Sequence, residues 1–152
     1  MKPFLKWAGG KTRLLPELLK YVPEQYERYI DPFLGGGALL FELKPKRAIV
    51  SDANKVLSLT YEAIQLRVNA VIELLKQHKR LDSKDYFDVA RSKLIAATKR
   101  RGDYDTLAAL FVYINKVCFN GLFRVNKTNV FNVPYGYYNN PKIYTEKHLV
   151  EV

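Results

Sequence analysis

The sequence predicts an α/β domain followed by a mostly helical region, and three stretches support this. YIDPFLGGGALLFEL at residues 29–43 has the pattern of a strand, a glycine turn and a helix. RAIVSDAN at residues 47–54 has the pattern of a second buried strand that ends at Asp52. From about residue 57 to residue 98 the apolar residues recur at helical spacing, with breaks expected near Asn69 and near Asp82–Ser83.

The N-terminal segment predicts a short helix. Leucines at 14, 15, 18 and 19 form one helical stripe with Val22. Pro16 fits that helix only in its first turn, where a backbone N–H is not needed, and Pro23 ends it. Beyond the second strand, Asn54 is a candidate N-cap for the next helix.

The residues GGKT at 9–12 match the end of a phosphate-binding loop, but the rest of that motif is absent. The pattern G-x-x-x-x-G-K-[ST] requires a glycine where Leu5 stands, and it requires a buried strand before the loop. Only nine residues precede Gly10. An NTPase is therefore disfavoured, and Lys11 needs another role.

The glycine turn and Asp52 together indicate a ligand that contains adenosine. In nucleotide-binding α/β folds, an acidic residue at the end of the second strand accepts hydrogen bonds from ribose hydroxyls. A tight connection with no ligand is the alternative. The dinucleotide pattern G-x-G-x-x-G fails at Leu40, and Asp31 would repel a pyrophosphate. A cationic ligand without phosphate, such as S-adenosylmethionine, suits Asp31 better.

The second half of the chain has a different character. DTLAALFVYINKVCF at residues 105–119 predicts a helix that is apolar almost all round and hence buried. Residues 106–145 contain no Asp or Glu, and they hold nine aromatic residues and seven asparagines. The chain carries 25 Lys and Arg against 15 Asp and Glu, a formal charge of +10, which favours a polyanionic partner.

The composition also argues against several classes of protein. The single cysteine, Cys118, allows no disulfide framework within the chain and has the apolar neighbours of a buried, inert thiol. His78 and His148 are isolated from other ligand-type residues, so no metal site is expected. No membrane-spanning run or signal peptide is predicted, and the expected location is the cytoplasm.

Three stretches in this order resemble the Dam-type (D12 class) adenine-N6 DNA methyltransferases. They are FLKWAGGK at 4–11, DPFLGGGALLFEL at 31–43 and NGLFRVNKTNVFNVPYGYYNNPKI at 120–143. The resemblance implies a partial Rossmann-like S-adenosylmethionine-dependent methyltransferase domain with a mostly helical target-recognition region. It implies a cofactor-binding part at 1–56, a DNA-binding part at 57–143 and a return to the catalytic domain at 144–152.

The resemblance also implies site residues. The expected cofactor contacts are Trp7, Lys11, Asp31, Phe33, Gly35, Gly37 and Asp52. The residues that match the family's recognition hairpin are Phe119, Asn120, Leu122, Arg124, Asn126 and Pro134. We expect Lys116 to contact a phosphate, Arg124 a guanine edge and Phe119 the space left by a displaced base. The asparagines could instead be turn formers.

The family's catalytic motif [DNS]-P-P-[YFW] does not occur, because the chain contains no Pro-Pro dipeptide. The chain is therefore expected to be an inactive N-terminal portion that needs a C-terminal half to methylate double-stranded DNA. GATC is a possible target, although Tyr137 stands where related recognition regions often carry a basic residue. Membership of a restriction-modification system stays open. The rival interpretations are a non-catalytic DNA-binding module, an RNA adenine methyltransferase and a nicotinamide-dependent oxidoreductase.

Overall fold

The computed structural model describes residues 1–99, 102–128 and 130–152, so Asn129 of the expected recognition region lies outside the described residues. The described chain is rich in helix and has a small parallel sheet. The strands are β1 (Tyr29–Asp31) and β2 (Ala48–Val50), and the helices are α1 (Leu15–Leu18), α2 (Ala38–Leu43), α3 (Lys55–Leu81), α4 (Lys84–Lys99), α5 (Tyr104–Val117) and α6 (Glu146–Val150). Short 3₁₀ turns span Lys11–Leu14, Leu19–Tyr21 and Phe119–Gly121.

The predicted succession of strand, glycine turn, helix and strand is confirmed. β1 and β2 pair in parallel, with Ile30 opposite Ile49, and α2 forms the crossover between them. Gly37 has a φ of 71° and directly precedes α2, a left-handed conformation that glycine adopts without strain. This unit places the glycine turn and Asp52 at the same end of the two strands.

The prediction that the second strand is buried is wrong. Ile49 is 52% exposed and Ile30 is 63% exposed. Because the two residues are opposite each other in the parallel register, their side chains lie on the same face of the sheet. Within the described chain that face is uncovered, so an apolar sequence alone did not determine burial.

The N-terminal helix forms where expected, with Pro16 in its first turn. It is short: α1 has four residues, and a 3₁₀ turn continues it on either side. Its leucine stripe is not part of the core: none of its residues is buried, and Leu14 is 58% exposed.

The long helical region is confirmed, including its breaks. Asn54 caps α3 as predicted, since its Oδ1 accepts the N–H groups of Val56 and Leu57 at 3.1 and 3.2 Å. The break expected near Asn69 lies at Arg67, whose φ of −145° and ψ of 42° are not helical. The break expected at Asp82–Ser83 separates α3 from α4.

The core is centred on α5, which is buried almost all round as predicted. It packs against α3 and α4, and its Asn115 holds the N-terminal segment. The Asn115 side chain accepts the N–H of Lys6 at 2.9 Å and donates to the carbonyl of Lys6 at 2.7 Å. These bonds fix the N-terminal segment beside α5. No helix in the described ranges is long and apolar enough to cross a membrane.

Candidate functional site

The carboxylate of Asp52 organises the glycine turn. Its Oδ2 accepts the N–H of Gly35 at 2.9 Å, and its Oδ1 accepts the N–H of Asn54 at 2.8 Å. A carboxylate has about four lone-pair directions, so each oxygen keeps capacity for a further donor. Asp52 is therefore held in place by the backbone and can still accept hydrogen bonds from a ligand.

The glycines of the turn are covered by side chains of the protein itself. A Cβ at Gly35 would lie 3.0 Å from Cδ1 of Trp7, and Gly35 has a φ of 53°. A Cβ at Gly37 would lie 2.9 Å from the hydroxyl of Tyr61, which also donates a long hydrogen bond of 3.4 Å to the carbonyl of Gly35. Glycine is thus required here by close packing as well as by backbone conformation.

Lys11 and Asp31 form a loose ion pair next to this turn. The Lys11 Nζ lies 3.9 Å from Oδ2 of Asp31 and donates to the carbonyl of Phe33 at 2.7 Å. Asp31 also accepts the N–H of Phe33 at 3.0 Å and the hydroxyl of Tyr29 at 2.8 Å. Burial, and then the hydrogen bond to Asp31, raise the pKa of Tyr29, so this hydroxyl remains a donor at neutral pH. One fixed cation and one fixed anion are therefore side by side.

The two aromatic residues expected at the cofactor differ in their surroundings. Trp7 is half-buried and stacks on Phe123, with ring centroids 5.8 Å apart and an interplanar angle of 20°. Phe33 is 75% exposed. One face of the indole is thus covered by Phe123, whereas the Phe33 ring is open to solvent.

The structure brings the seven expected cofactor residues into one region around the turn. Sequence reasoning missed two residues there, Tyr29 and Tyr61. Tyr61 lies within the long helical stretch and Tyr29 begins a strand, and neither position carries a motif that separates it from an ordinary apolar residue.

The segment that follows α5 folds back on itself as an antiparallel hairpin, with bridges between Cys118 and Tyr135 and between Val125 and Phe131. Arg124 is exposed, and its Nε donates to Oδ1 of Asn132 on the opposite arm at 2.9 Å. A terminal guanidinium nitrogen also donates a long hydrogen bond of 3.5 Å to the carbonyl of Asn132. The two bonds orient the guanidinium, and its terminal nitrogens keep further N–H groups that can donate to a partner.

The base of the hairpin presents an exposed aromatic ring. Phe119 is 51% exposed, and its N–H donates to the carbonyl of Pro134 at 2.9 Å. Asn120 has a φ of 54°, and its N–H donates to the hydroxyl of Tyr138 at 2.8 Å. The backbone of both residues is thus anchored while half of the Phe119 side chain stays exposed.

Two of the expected hairpin contacts have structural roles of their own. Oδ1 of Asn126 accepts the N–H groups of Thr128 and Val130 and the hydroxyl of Thr128, so this asparagine forms the turn. Leu122 is half-buried, and it packs against the core.

Lys116 lies apart from the exposed hairpin. It is half-buried in the last turn of α5 and lines a cavity beside the N-terminal segment. Its neighbour Cys118 is buried as predicted, and burial raises the pKa of its thiol to about 11. No group of three or more metal-ligating side chains occurs in the part of the chain that the structure describes.

Comparison with known proteins identifies relatives of this chain. The family model described as D12 class N6 adenine-specific DNA methyltransferase matches residues 7–152. The Type II methyltransferase M1.LlaDCHI of Lactococcus lactis subsp. cremoris is 44% identical over 99% of this chain and 53% of its own length. The Type II methyltransferase M.MjaIII of Methanocaldococcus jannaschii is 41% identical over 100% of this chain and 58% of its own length.

A DNA adenine methylase of Haemophilus influenzae is 36% identical over 90% of this chain and 48% of its own length. The chain thus spans about half the length of the curated relatives it matches. The family model matches all but the first six residues, and the structure contains the glycine turn, Asp52 and the hairpin. The chain therefore belongs to the D12 class N6 adenine-specific DNA methyltransferase family.

Proposed function

We propose that the protein containing this chain transfers a methyl group from S-adenosylmethionine to N6 of adenine in double-stranded DNA. The observation that carries the proposal is the meeting of Asp52, the glycine turn and the Lys11–Asp31 pair in one region. Family membership supports the reaction class, and the names of the relatives support DNA as the substrate.

The residues around the turn fit the chemistry of that cofactor. The methionine end of S-adenosylmethionine carries an ammonium and a carboxylate, and the adjacent Asp31 and Lys11 supply one charge of each sign for these groups. The free acceptor directions of Asp52 suit ribose hydroxyls, and the open ring of Phe33 offers a stacking surface. When bound, the cofactor supplies an electrophilic methyl group on its sulfonium.

Trp7 has a different role in this proposal. Because Phe123 covers one face of its indole, we assign Trp7 to connecting the cofactor region with the recognition region as well as to lining the pocket. Residues 1–56 then bind the cofactor, residues 57–143 recognise DNA, and residues 144–152 return to a Rossmann-like catalytic domain.

The hairpin is the proposed reader of DNA. Arg124, oriented by Asn132, can donate two hydrogen bonds to a guanine edge in the major groove. The exposed ring of Phe119 can occupy the space that a displaced adenine leaves in the stack. Asn120, Asn126, Leu122 and Pro134 would support this surface.

No residue of this chain is assigned to catalysis, because the chain has no Pro-Pro dipeptide to supply the motif that orients the adenine amino group. We assign that motif to the part of the family's sequence that this chain does not cover. Residues 1–152 alone are accordingly expected to bind DNA weakly and to transfer no methyl group, since positioning contributes up to about 7–11 kcal/mol to such reactions.

The test uses the full-length protein with methyl-labelled S-adenosylmethionine. The substrates are a duplex containing GATC, the same duplex with N6-methyladenine in place of adenine, a duplex with the site shuffled, and RNA of the same sequence. The expected result is N6-methyladenine in the first duplex and no label in the pre-methylated one. Label in RNA alone would establish the RNA methyltransferase, and DNA binding without label in these duplexes or in unmethylated genomic DNA, which contains every short target sequence, would establish the non-catalytic module.

A further inference from the structure

The buried side chain of Asn115, in the last turn of α5, joins two segments that are far apart in the sequence. It is 2% exposed. Its Oδ1 accepts the N–H of Lys6 at 2.9 Å, and its Nδ2 donates to the carbonyl of Lys6 at 2.7 Å and to the carbonyl of Gly121 at 3.2 Å. The amide oxygen and both N–H donors therefore bond to backbone groups outside α5.

The helix that carries Asn115 does not explain the choice of this residue. Asparagine is a poor helix former in a helix interior, and a buried amide is unfavourable unless it is hydrogen-bonded. An apolar side chain would avoid that cost, as the fully buried Ile114 and Val117 on the same helix do. What the amide adds is a fixed connection between Lys6 and Gly121.

The two joined segments are also packed directly against each other. Gly121 has a φ of 61°, and a Cβ at this position would lie 2.3 Å from Cδ and 2.5 Å from Cβ of Lys6. These distances are shorter than a van der Waals contact, so only glycine lets the N-terminal segment approach this closely. The hydrogen bonds of Asn115 and this packing together set the spacing between Lys6 and Gly121.

Each joined segment continues into one half of the candidate site. Trp7 follows Lys6, and its indole covers the glycine turn, since a Cβ at Gly35 would lie 3.0 Å from its Cδ1. Phe123 lies two residues after Gly121 and stacks on the same indole, with ring centroids 5.8 Å apart. A change in the spacing between Lys6 and Gly121 would therefore displace the indole from the turn, from the hairpin or from both.

We propose that Asn115 is a positioning residue of the methyltransferase, which holds the Trp7 wall of the cofactor region and the base of the hairpin at one spacing. Because it is buried, it acts through the backbone of Lys6 and Gly121 and not through contact with a ligand. The inference rests on the proposed function, which assigns the cofactor to the glycine turn and DNA to the hairpin. One substitution in α5 should then weaken both cofactor binding and discrimination between DNA sequences.

Two substitutions in the full-length protein disturb the connection from opposite sides. Asn115→Asp keeps the shape and an acceptor for the Lys6 N–H, but it places a carboxylate oxygen against two carbonyls. Gly121→Ala puts a methyl group into space that Lys6 occupies. The matched controls are Leu94→Val, which shortens a buried side chain of α4, and Gly102→Ala, where φ is 103° and no described atom lies within 4 Å of the added Cβ.

The first arm of the test measures backbone hydrogen exchange without any ligand. Peptides that cover residues 4–10 and residues 119–123 should both exchange faster in Asn115→Asp and in Gly121→Ala, relative to peptides of α3. The two controls should leave this ratio at its wild-type value. Unchanged exchange of either peptide in Asn115→Asp would overturn the proposal. Should Asn115→Asp not fold, Gly121→Ala decides by the same criterion.

The second arm measures both ligands with the same proteins. Calorimetry gives the affinity for S-adenosylmethionine, and competition gives the affinity ratio between a duplex that the wild type methylates and the same duplex with its site shuffled. Asn115→Asp should reduce the cofactor affinity and this ratio by about tenfold each, the effect of losing a buried hydrogen bond. Gly121→Ala should reduce both, and the controls should match the wild type.

The outcomes separate this inference from the proposed function. Loss of cofactor affinity alone, or of DNA discrimination alone, would overturn the inference, because Asn115 would then serve only one segment. Wild-type behaviour of folded Asn115→Asp in both measurements would overturn it as well and would leave the proposed function intact. A wild type that binds neither ligand would refute the proposed function and this inference with it.

Discussion

Oδ2 of Asp52 accepts the backbone N–H of Gly35 at 2.9 Å, which ties the end of β2 to the glycine turn between β1 and α2. The same carboxylate accepts the N–H of Asn54, whose side chain caps α3. One residue thus connects the sheet, the turn and α3. A ligand that binds Asp52 would therefore contact the residue that joins all three.

Replacement of Asp52 should weaken cofactor binding. Asp52→Ala in the full-length protein should cost about 1–3 kcal/mol of S-adenosylmethionine binding, because ribose hydroxyls would lose their acceptor and the turn would lose its anchor. Asp52→Asn, which keeps an acceptor for the Gly35 N–H, should cost less. Calorimetry measures both, with Glu62→Gln as an exposed control for charge loss. Affinity equal to the control in folded Asp52→Ala would remove Asp52 from the cofactor site.

Arg124 should determine sequence preference at one base pair. Arg124→Ala should reduce discrimination at that position by about 1–3 kcal/mol. Asn132→Ala should reduce it by less, because this variant keeps the guanidinium and removes only the side chain that orients it. Competition binding with duplexes varied one base pair at a time provides the measurement. The control is Lys127→Ala, which removes an exposed cation from the same hairpin and should weaken binding to all sequences equally. If Arg124→Ala behaves as Lys127→Ala does, the base-reading role is wrong.

The hydroxyl of Tyr113 should stabilise the fold by holding Asp82 at the α3–α4 junction. This fully buried hydroxyl donates to Oδ1 of Asp82 at 2.8 Å, and Tyr135 of the hairpin donates to the same oxygen at 3.3 Å. Tyr113→Phe should lower the free energy of unfolding by about 1–3 kcal/mol, more than Tyr135→Phe, whose bond is longer. Urea denaturation measures both against Tyr21→Phe, which removes an exposed hydroxyl. Equal costs for Tyr113→Phe and Tyr21→Phe would contradict this role.

Stability should fall between about pH 6.5 and pH 4 partly through His78. Burial, and then the charge of Lys93, lower the pKa of His78 to about 4, below its usual value near 6.5. In that interval the unfolded chain binds a proton at this residue and the folded chain does not, so acid favours unfolding. His78→Gln removes this effect, so its free energy of unfolding should decrease less steeply on acidification than that of the wild type. Parallel curves for the two proteins across that interval would exclude the effect.

Much of the local structure could be predicted because its causes are local. The strand, glycine turn, helix and strand at residues 29–50 follow from side-chain pattern and glycine placement, and the Asn54 cap follows from a side chain that reaches N–H groups two and three residues ahead. The break between α3 and α4 and the burial of α5 were also evident from the sequence. That Asp52 lies close to the glycine turn follows from the same order of elements.

The sequence by itself determined the order of elements, the residues of the turn and hairpin, and the family. The tertiary structure decided which side chains are buried and which segments cover them. Ile30 and Ile49 are apolar yet exposed, because the described chain places nothing over their face of the sheet. Lys116 lines a cavity because α5 meets the N-terminal segment and α6 there, and Tyr61 reaches Gly35 across 26 residues of chain. Burial and hydrogen-bond partners depend on segments far apart in sequence, and residue patterns report only on near neighbours.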